Sequence, residues 1–176
     1  MKKTRLRSKS NKFYELDFYL LKYRRLTKEE LEPLAKDFAI FLASNSIDKK
    51  MWDELKSTQK ETAEEMLDVF SDMVFEKALT SAKYLERIAD TELQCYFFLP
   101  KSAHLVSLRY TGQDAFSFFD DDAFQQIPAL LKSDSLELIQ GTKTYQQTRE
   151  EEMFDVLNTG AAIANGELYR MIIGLF

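Results

Sequence analysis

The densest set of reactive side chains in this sequence is a group of carboxylates at helical spacing. At about 100° per residue they fall within a narrow stripe along one side of the run from 61 to 79; they are Glu61, Glu65, Asp68, Asp72 and Glu76. Like charges four residues apart repel by about 0.2–0.5 kcal/mol in an isolated helix, a cost that a protein tolerates easily. The stripe can therefore be a solvated helix face. It can also be a docking surface for a basic protein partner, including this chain's own N-terminal arm.

His104 is the single histidine, and it is the one side chain that ordinarily titrates near neutral pH. Its place at the start of a predicted strand favours a surface or edge position, and a catalytic role beside acids brought near by folding is the alternative. A single imidazole excludes sites that need several, and the sequence has neither a zinc-binding Cys pair nor the Glu-x-x-His pairs of di-iron bundles. The consecutive acids Asp120–Asp122 indicate a helix start rather than a metal site. No metal and no cofactor is predicted.

Motifs for other chemistries are missing. The five glycines are scattered, so there is no phosphate-binding loop, and Gly-x-Ser-x-Gly is absent. Tyr96, Phe98 and Arg109 could form an RNA-binding sheet surface, yet the body is acidic and has no RNP-like string. A role in sheet packing is the favoured interpretation of these three residues.

The net charge of −5 conceals a basic N-terminus and an acidic body. Residues 1–21 are predicted to be a disordered basic arm, or to precede the natural start of the protein. The arm can be a solvated tail or can contact nucleic-acid phosphates, in which case binding weakens steeply with salt. Its basic residues within the first twelve positions are Lys2, Lys3, Arg5, Arg7, Lys9 and Lys12.

The single Cys95 lies in the apolar run LQCYFFL, which excludes an intrachain disulfide and predicts a buried, inert thiol. Cysteine usage of this kind favours the cytoplasm. No run of eighteen apolar residues is present, so no membrane span is predicted. The N-terminus also lacks the pattern of a signal peptide, because acids interrupt its apolar part.

Three helices are predicted in the first half, and they must position the acidic stripe. Thr27 opens a capping box for a helix to about Ala43, in which Pro33 is tolerated. Asp48 caps a short helix to Lys56, and Thr58 opens a second capping box for the long helix 61–79. The face of the long helix opposite the stripe is predicted to be core: Ala63, Met66, Leu67, Phe70, Met73, Val74 and Ala78.

From position 83 onward the pattern changes to strands. The runs 84–88, 92–99 and 104–111 are rich in aromatic and β-branched residues and predict an antiparallel meander. A helix over 123–132, weakened or kinked by Pro128, and a strand over 136–145, interrupted at Gly141, follow. A further helix begins with the capping box at Thr148 and ends at Gly160. Asn165-Gly166 between short apolar runs predicts a terminal β-hairpin.

The predicted class is therefore α+β: an N-terminal layer of three helices packed on a small, mainly antiparallel sheet, with a late helix and a terminal β-hairpin. Residues 22–176 are predicted to form one domain, a length that can bury a core without staples. The oligomeric state is left open.

The runs KYRRLTKEELEPL, FLASNSID, FSDMVFEKAL, TREEEMFDVLNTGA and NGELY carry a resemblance that extends over most of 22–169. The chain resembles a family of small uncharacterised bacterial proteins, a domain of unknown function that begins near the KYRRLTKEEL run. The family has no established activity, so the resemblance implies no site residues. It does imply that residues 1–21 precede the shared region.

We expect a non-enzymatic cytoplasmic protein-interaction module that uses the acidic helix face, because no catalytic constellation is present. One alternative is an enzyme with an unfamiliar carboxylate and His104 site. The other is an RNA- or ribosome-associated protein that binds through the basic arm.

Overall fold

The computed structural model describes residues 20–175. Their contacts form two compact units, 20–74 and 75–175, with the boundary inside one long helix. The predicted arm at 1–21, including its six basic residues, lies outside the described residues except for Leu20 and Leu21. That residues 22–176 form a single domain stays a prediction.

The first unit contains short helices followed by most of a long one. They are α1 (Lys28–Leu31), a 3-10 turn (Glu32–Leu34), α2 (Ala35–Ser44), α3 (Lys49–Thr58) and α4 (Lys60–Ser81), which continues into the second unit. The capping box at Thr27 is confirmed: its hydroxyl accepts from the Glu30 N–H at 3.3 Å, and Glu30 accepts from the Thr27 N–H at 2.8 Å. The 3-10 turn at Pro33 divides the predicted first helix, because proline removes a helical donor and crowds the preceding turn.

The caps of the next two helices have opposite outcomes. Asp48 begins α3 as predicted, because its carboxylate accepts from the Met51 N–H at 2.8 Å. The prediction of a capping box at Thr58 is wrong. Thr58 is the last residue of α3, and its hydroxyl donates to the Glu54 carbonyl at 2.8 Å, so it cannot cap α4 in the same geometry.

The core of the first unit is built on aromatic contacts. The Phe38 ring lies 5.3 Å from Trp52 and 5.0 Å from Phe70, both edge to face. Phe70 is fully buried on the apolar side of α4, as predicted. Met73 was predicted on the same face but is 46% exposed, since it lies at the margin of that face, about 60° around the helix from Phe70.

The second unit contains a five-stranded antiparallel sheet. Its strands are β1 (Tyr84–Ile88), β2 (Glu92–Phe98), β3 (Ser102–Tyr110), β4 (Leu136–Thr144) and β5 (Ala162–Ala164). The strand order β4-β3-β2-β1-β5 confirms the predicted meander and extends it at both edges. The N-terminal helices and this sheet confirm the α+β class.

Three helices accompany the sheet: α5 (Ala123–Lys132), α6 (Arg149–Asn158) and α7 (Glu167–Ile173). The bounds of α5 are those predicted, and the capping box at Thr148 is confirmed at the start of α6. Cys95 is fully buried in the core that α5 and α7 help to build, and this burial raises the pKa of its thiol to about 12. The prediction of a buried, inert thiol therefore agrees with its surroundings.

The predicted terminal hairpin is wrong. Ile163 pairs with Leu85 of β1, and the chain then enters a helix rather than a second strand. A type I′ turn needs positive φ at both central residues. Gly166 has a positive φ of 78°, whereas the φ of Asn165 is not positive. The Asn165 side chain instead accepts from the Glu167 N–H at 2.9 Å, which satisfies a donor at the start of α7.

Gly166 is also required by a close approach. A Cβ at this position would lie 2.6 Å from the Tyr84 ring, which any side chain would displace.

Between 20 and 175, no helix combines the length and the apolar character needed to cross a bilayer.

Candidate partner-binding surface

The acidic stripe lies on α4, but its residues differ in exposure. Glu61 is exposed, Glu65 and Asp68 are half-buried, and Asp72 is buried with 5% of its surface exposed. Glu76 is half-buried and belongs to the second unit. The stripe is therefore not a uniformly solvated helix face.

Asp72 is buried because it binds the backbone of a remote segment. Its two carboxylate oxygens accept from consecutive N–H groups, that of Lys22 at 2.6 Å and that of Tyr23 at 2.9 Å. A carboxylate that accepts backbone N–H groups makes charge-assisted hydrogen bonds, which are about twice as strong as neutral ones. Asp72 thereby fixes the position of the segment on the helix.

Ser71 adds a second backbone contact. Its hydroxyl accepts from the Leu26 N–H at 3.0 Å and donates to the Leu67 carbonyl of the preceding helical turn at 2.6 Å. Leu26 packs on the apolar core of the first unit. The chain from 22 to 26, called here the N-terminal strap, thus lies along α4 with both of its ends attached.

Arg25 connects the centre of the strap to the stripe. Its guanidinium donates from Nε to Asp68 Oδ1 at 2.6 Å and from Nη2 to Asp68 Oδ2 at 2.9 Å, a bidentate pair. Nη2 also donates to the Glu64 carbonyl at 3.3 Å, and Nη1 lies 3.8 Å from the Glu64 carboxylate. The Arg25 side chain is 41% exposed, so solvent screens this pair.

Arg24 points to a different partner. It donates to both carboxylate oxygens of Glu30, at 2.6 and 2.7 Å. This hydrogen bonding, together with the bond from the Thr27 N–H, lowers the pKa of Glu30 to about 2. The strap is therefore attached to α1 as well as to α4.

Sequence reasoning placed the acids on one face but missed the residues that complete the surface. Glu64 and Ser71 flank the stripe and were not singled out, although Glu64 lies four residues before Asp68, at the spacing of helical neighbours. The chain's own arm was considered as an occupant. The observed occupant is the strap, which begins where the predicted arm ends.

His104 lies in β3, and its bonding partner is a phenol. Its Nδ1 is hydrogen-bonded to the Tyr169 hydroxyl at 2.7 Å, and the two rings meet edge to face. The Tyr169 ring also lies 5.5 Å from Tyr84 and 5.4 Å from Phe97. Burial raises the pKa of Tyr169. These contacts make His104 part of an aromatic cluster between the sheet and α7.

An open depression of 510 Å³ adjoins Tyr84. Its walls are mostly small or apolar, and His104 is not among them: Ala78, Ser81, Ala82, Lys83, Tyr84, Ile163, Ala164 and Asn165. Within the described residues, no group of three or more His, Cys, Asp or Glu side chains could hold a metal ion.

Arg149 makes a further contact that the sequence did not indicate. Its guanidinium donates to the Leu79 carbonyl at 3.0 Å and also to the Ala82 carbonyl. These carbonyls lie at the end of α4, where the last turn of a helix has no internal donors.

The sheet residues considered for RNA binding do not form an aromatic and basic surface. Phe98 is buried with 3% exposed, and Tyr96 is half-buried. Arg109 is exposed, but its guanidinium lies 3.2 Å from Glu92 and 3.6 Å from Glu137. The sheet-packing interpretation fits this arrangement better.

Comparison with known proteins gives a family but no activity. No curated protein matches the chain, and no solved structure matches it. A family model matches residues 21–176, so the match includes the strap and both described units. The chain therefore belongs to a family of unknown function, DUF6495.

Proposed function

We propose that the protein is a non-enzymatic protein-interaction module that binds a basic, extended partner segment on the acidic side of α4. The observation that carries this proposal is the strap itself. The surface holds a basic extended chain through carboxylates and a hydroxyl that bind its backbone and one of its arginines. The strap shows that an extended chain fits along this side of α4, and the acidic surroundings favour a basic one.

The part of the stripe that remains accessible would receive the partner. Glu61 is exposed and lies two turns before Asp68, and Glu65 is half-buried and lies one turn before it, on the same side of α4. A partner bound there would continue the line of the strap without displacing it. Asp68 and Asp72 are assigned to the strap, and Glu61 and Glu65 to the partner.

A peptide titration tests this assignment. The probe is a fluorescein-labelled peptide with two copies of the sequence KYRRL, followed by anisotropy at low and physiological salt. We expect Glu61→Lys with Glu65→Lys to weaken binding about tenfold, since both reversed charges would repel the peptide.

The matched control is Asp37→Lys with Glu54→Lys, which makes the same change in net charge at exposed positions on α2 and α3. We expect a much smaller loss for this variant. Equal losses in the two variants would show that net charge alone attracts the peptide. The proposal would then be wrong, as it would be if the unaltered chain did not bind.

An enzymatic function is not proposed. Its best version required His104 beside carboxylates, and His104 is hydrogen-bonded to Tyr169 in an aromatic cluster instead.

The buried thiol of Cys95 supports a cytoplasmic location as part of the proposal.

A further inference from the structure

β4 lies at one edge of the sheet, and half of its backbone groups point outward. In the described chain its strand neighbour is β3. The Thr111 N–H donates to the Ser135 carbonyl at 2.9 Å, immediately before β4 begins. Because hydrogen-bonded pairs alternate along an antiparallel ladder, the odd-numbered residues of β4 bond to β3. The even-numbered residues therefore direct their N–H and C=O groups away from the sheet: Leu136, Leu138, Gln140, Thr142 and Thr144.

Within residues 20–175, the edge strand β4 is neither short nor interrupted by a proline or a bulge. Natural sheets shorten their edge strands or place proline, a bulge or a charged lysine on them. β4 has nine residues in unbroken register with β3, whereas β5 at the opposite edge has three. Its second half, 140–144, is exposed throughout. Its lysine, Lys143, is held by Glu152, with Nζ 2.6 Å from the carboxylate.

The sequence of β4 is complementary to itself when reversed. A two-fold axis at Gln140 places Glu137, which lies 3.6 Å from Arg109, opposite Lys143 of a second copy. Each Lys143 would then lie between Glu152 of its own chain and Glu137 of the other, and this contact occurs twice.

The same axis places Ile139 opposite Gly141, where a Cβ would have no neighbour within 4 Å. The residues of both pairs are odd-numbered and therefore lie on one face of the strand. The Ile139 side chain can fill the open space over Gly141 of the second copy.

The backbone pattern agrees with the same axis. Even-numbered residues meet even-numbered residues, Leu138 opposite Thr142 and Leu136 opposite Thr144, so outward donors meet outward acceptors along the whole strand. Shifting the axis along the strand separates Glu137 from Lys143 and leaves strand residues unpaired. One register therefore satisfies backbone, charge and shape together.

We propose that two copies of this chain associate through β4, antiparallel and with Gln140 opposite Gln140 of the second copy, so that one sheet continues across the dimer. The interface is isologous, as in most homodimers. It shares no residue with the peptide-binding surface proposed on α4, so peptide binding and this dimer are tested independently.

Sedimentation equilibrium of the full chain over a range of concentrations tests the association. We expect a monomer–dimer equilibrium for the unaltered chain. Thr142→Pro removes an outward N–H while leaving the bonds to β3, and we expect it to weaken the dimer at least tenfold. Thr142→Val, which keeps the donor and the branched shape, should retain the dimer. A chain that is monomeric at every concentration overturns the proposal.

Disulfide trapping tests the register without depending on how proline is tolerated. In the proposed dimer, the two copies of position 140 face each other about 5.5 Å apart between Cα atoms, within disulfide range. We expect Gln140→Cys to form a covalent dimer on mild oxidation. The control Thr144→Cys places the two thiols about 27 Å apart at eight residues of separation, so it should not. Equal trapping in both variants, or none at position 140, overturns the proposed register.

Discussion

Each unit contains a buried carboxylate that accepts hydrogen bonds from an extended segment of chain, but the two carboxylates differ in where their donors lie along the sequence. Asp72 of α4 is 5% exposed and accepts from the backbone N–H groups of Lys22 and Tyr23. Glu152 of α6 is 8% exposed and accepts from the Gln146 N–H at 2.9 Å and from Lys143 at 2.6 Å. Each fixes an extended segment of chain against a helix.

The difference is distance along the sequence. The donors to Asp72 are 49 and 50 residues away, while those to Glu152 are six and nine residues away. The donors to Glu152 lie in the strand and loop that directly precede α6, so they are close to it in sequence. The donors to Asp72 are close to it only in the folded protein. Asp72 therefore stabilises tertiary structure, whereas Glu152 stabilises the local connection between β4 and α6.

The largest effect is expected for Asp72→Ala. This change leaves two backbone N–H groups of the strap without their acceptor, and hydrogen bonds to a charged group contribute about 1.5–3 kcal/mol each. We expect the free energy of unfolding to fall by about 3 kcal/mol, measured by urea denaturation.

Asp72→Asn is the informative companion, because its single remaining oxygen can accept one of the two bonds. We expect roughly half of the loss. Glu61→Ala, at an exposed position on the same helix, should change stability by less than about 0.5 kcal/mol. A loss for Asp72→Ala no larger than that of Glu61→Ala would mean that the strap does not depend on Asp72.

A smaller effect, with a distinct pH dependence, is expected for Glu152→Gln. The hydrogen bond from the Gln146 N–H, followed by that from Lys143, lowers the pKa of Glu152 below its usual range. A lowered folded-state pKa stabilises the protein above the unfolded-state value, about 4.3, and this contribution is lost as the pH falls through the folded-state value. We expect the variant to be about 1 kcal/mol less stable at pH 7.

The comparison of urea midpoints at pH 7 and in acid checks the sign. The difference between the unaltered chain and Glu152→Gln should shrink as the pH falls below about 4. Glu167→Gln, at an exposed position of α7, should differ by less than about 0.5 kcal/mol at neutral pH. A difference that grows in acid would contradict the assigned role of Glu152.

The elements that sequence predicted best are those whose signals are local. Aromatic and β-branched residues placed β1 at 84–88, and the acids 120–122 placed the start of α5 at 123, both at the observed bounds. The capping box at Thr148 was confirmed for the same reason, since its two bonds join neighbouring residues. A local signal failed where the same dipeptide is compatible with two structures. Asn165-Gly166 is typical of a hairpin turn, but here it precedes the helix α7.

The acidic side of α4 shows why a site is harder to predict than an element. Helical spacing correctly placed Asp68 and Asp72 on one side, but the groups that Asp72 binds are backbone N–H groups, which every residue except proline carries. Nothing in the side chains of Lys22 and Tyr23 indicates that contact. The burial of Asp72 follows from where the strap lies, which only the fold determines.

The smallest effect is expected for Arg25→Ala, and it decides what holds the strap. The pair with Asp68 is bidentate, but the arginine is 41% exposed, and exposed ion pairs contribute about 0.2–1 kcal/mol. We expect a loss of about 0.5 kcal/mol in urea, reduced further at 1 M salt, where the screening length falls to about 3 Å. Backbone bonds to Asp72 and Ser71 would then account for most of the attachment. A loss as large as that of Asp72→Ala would mean that the strap is held mainly by the charge of Arg25 and not by its backbone.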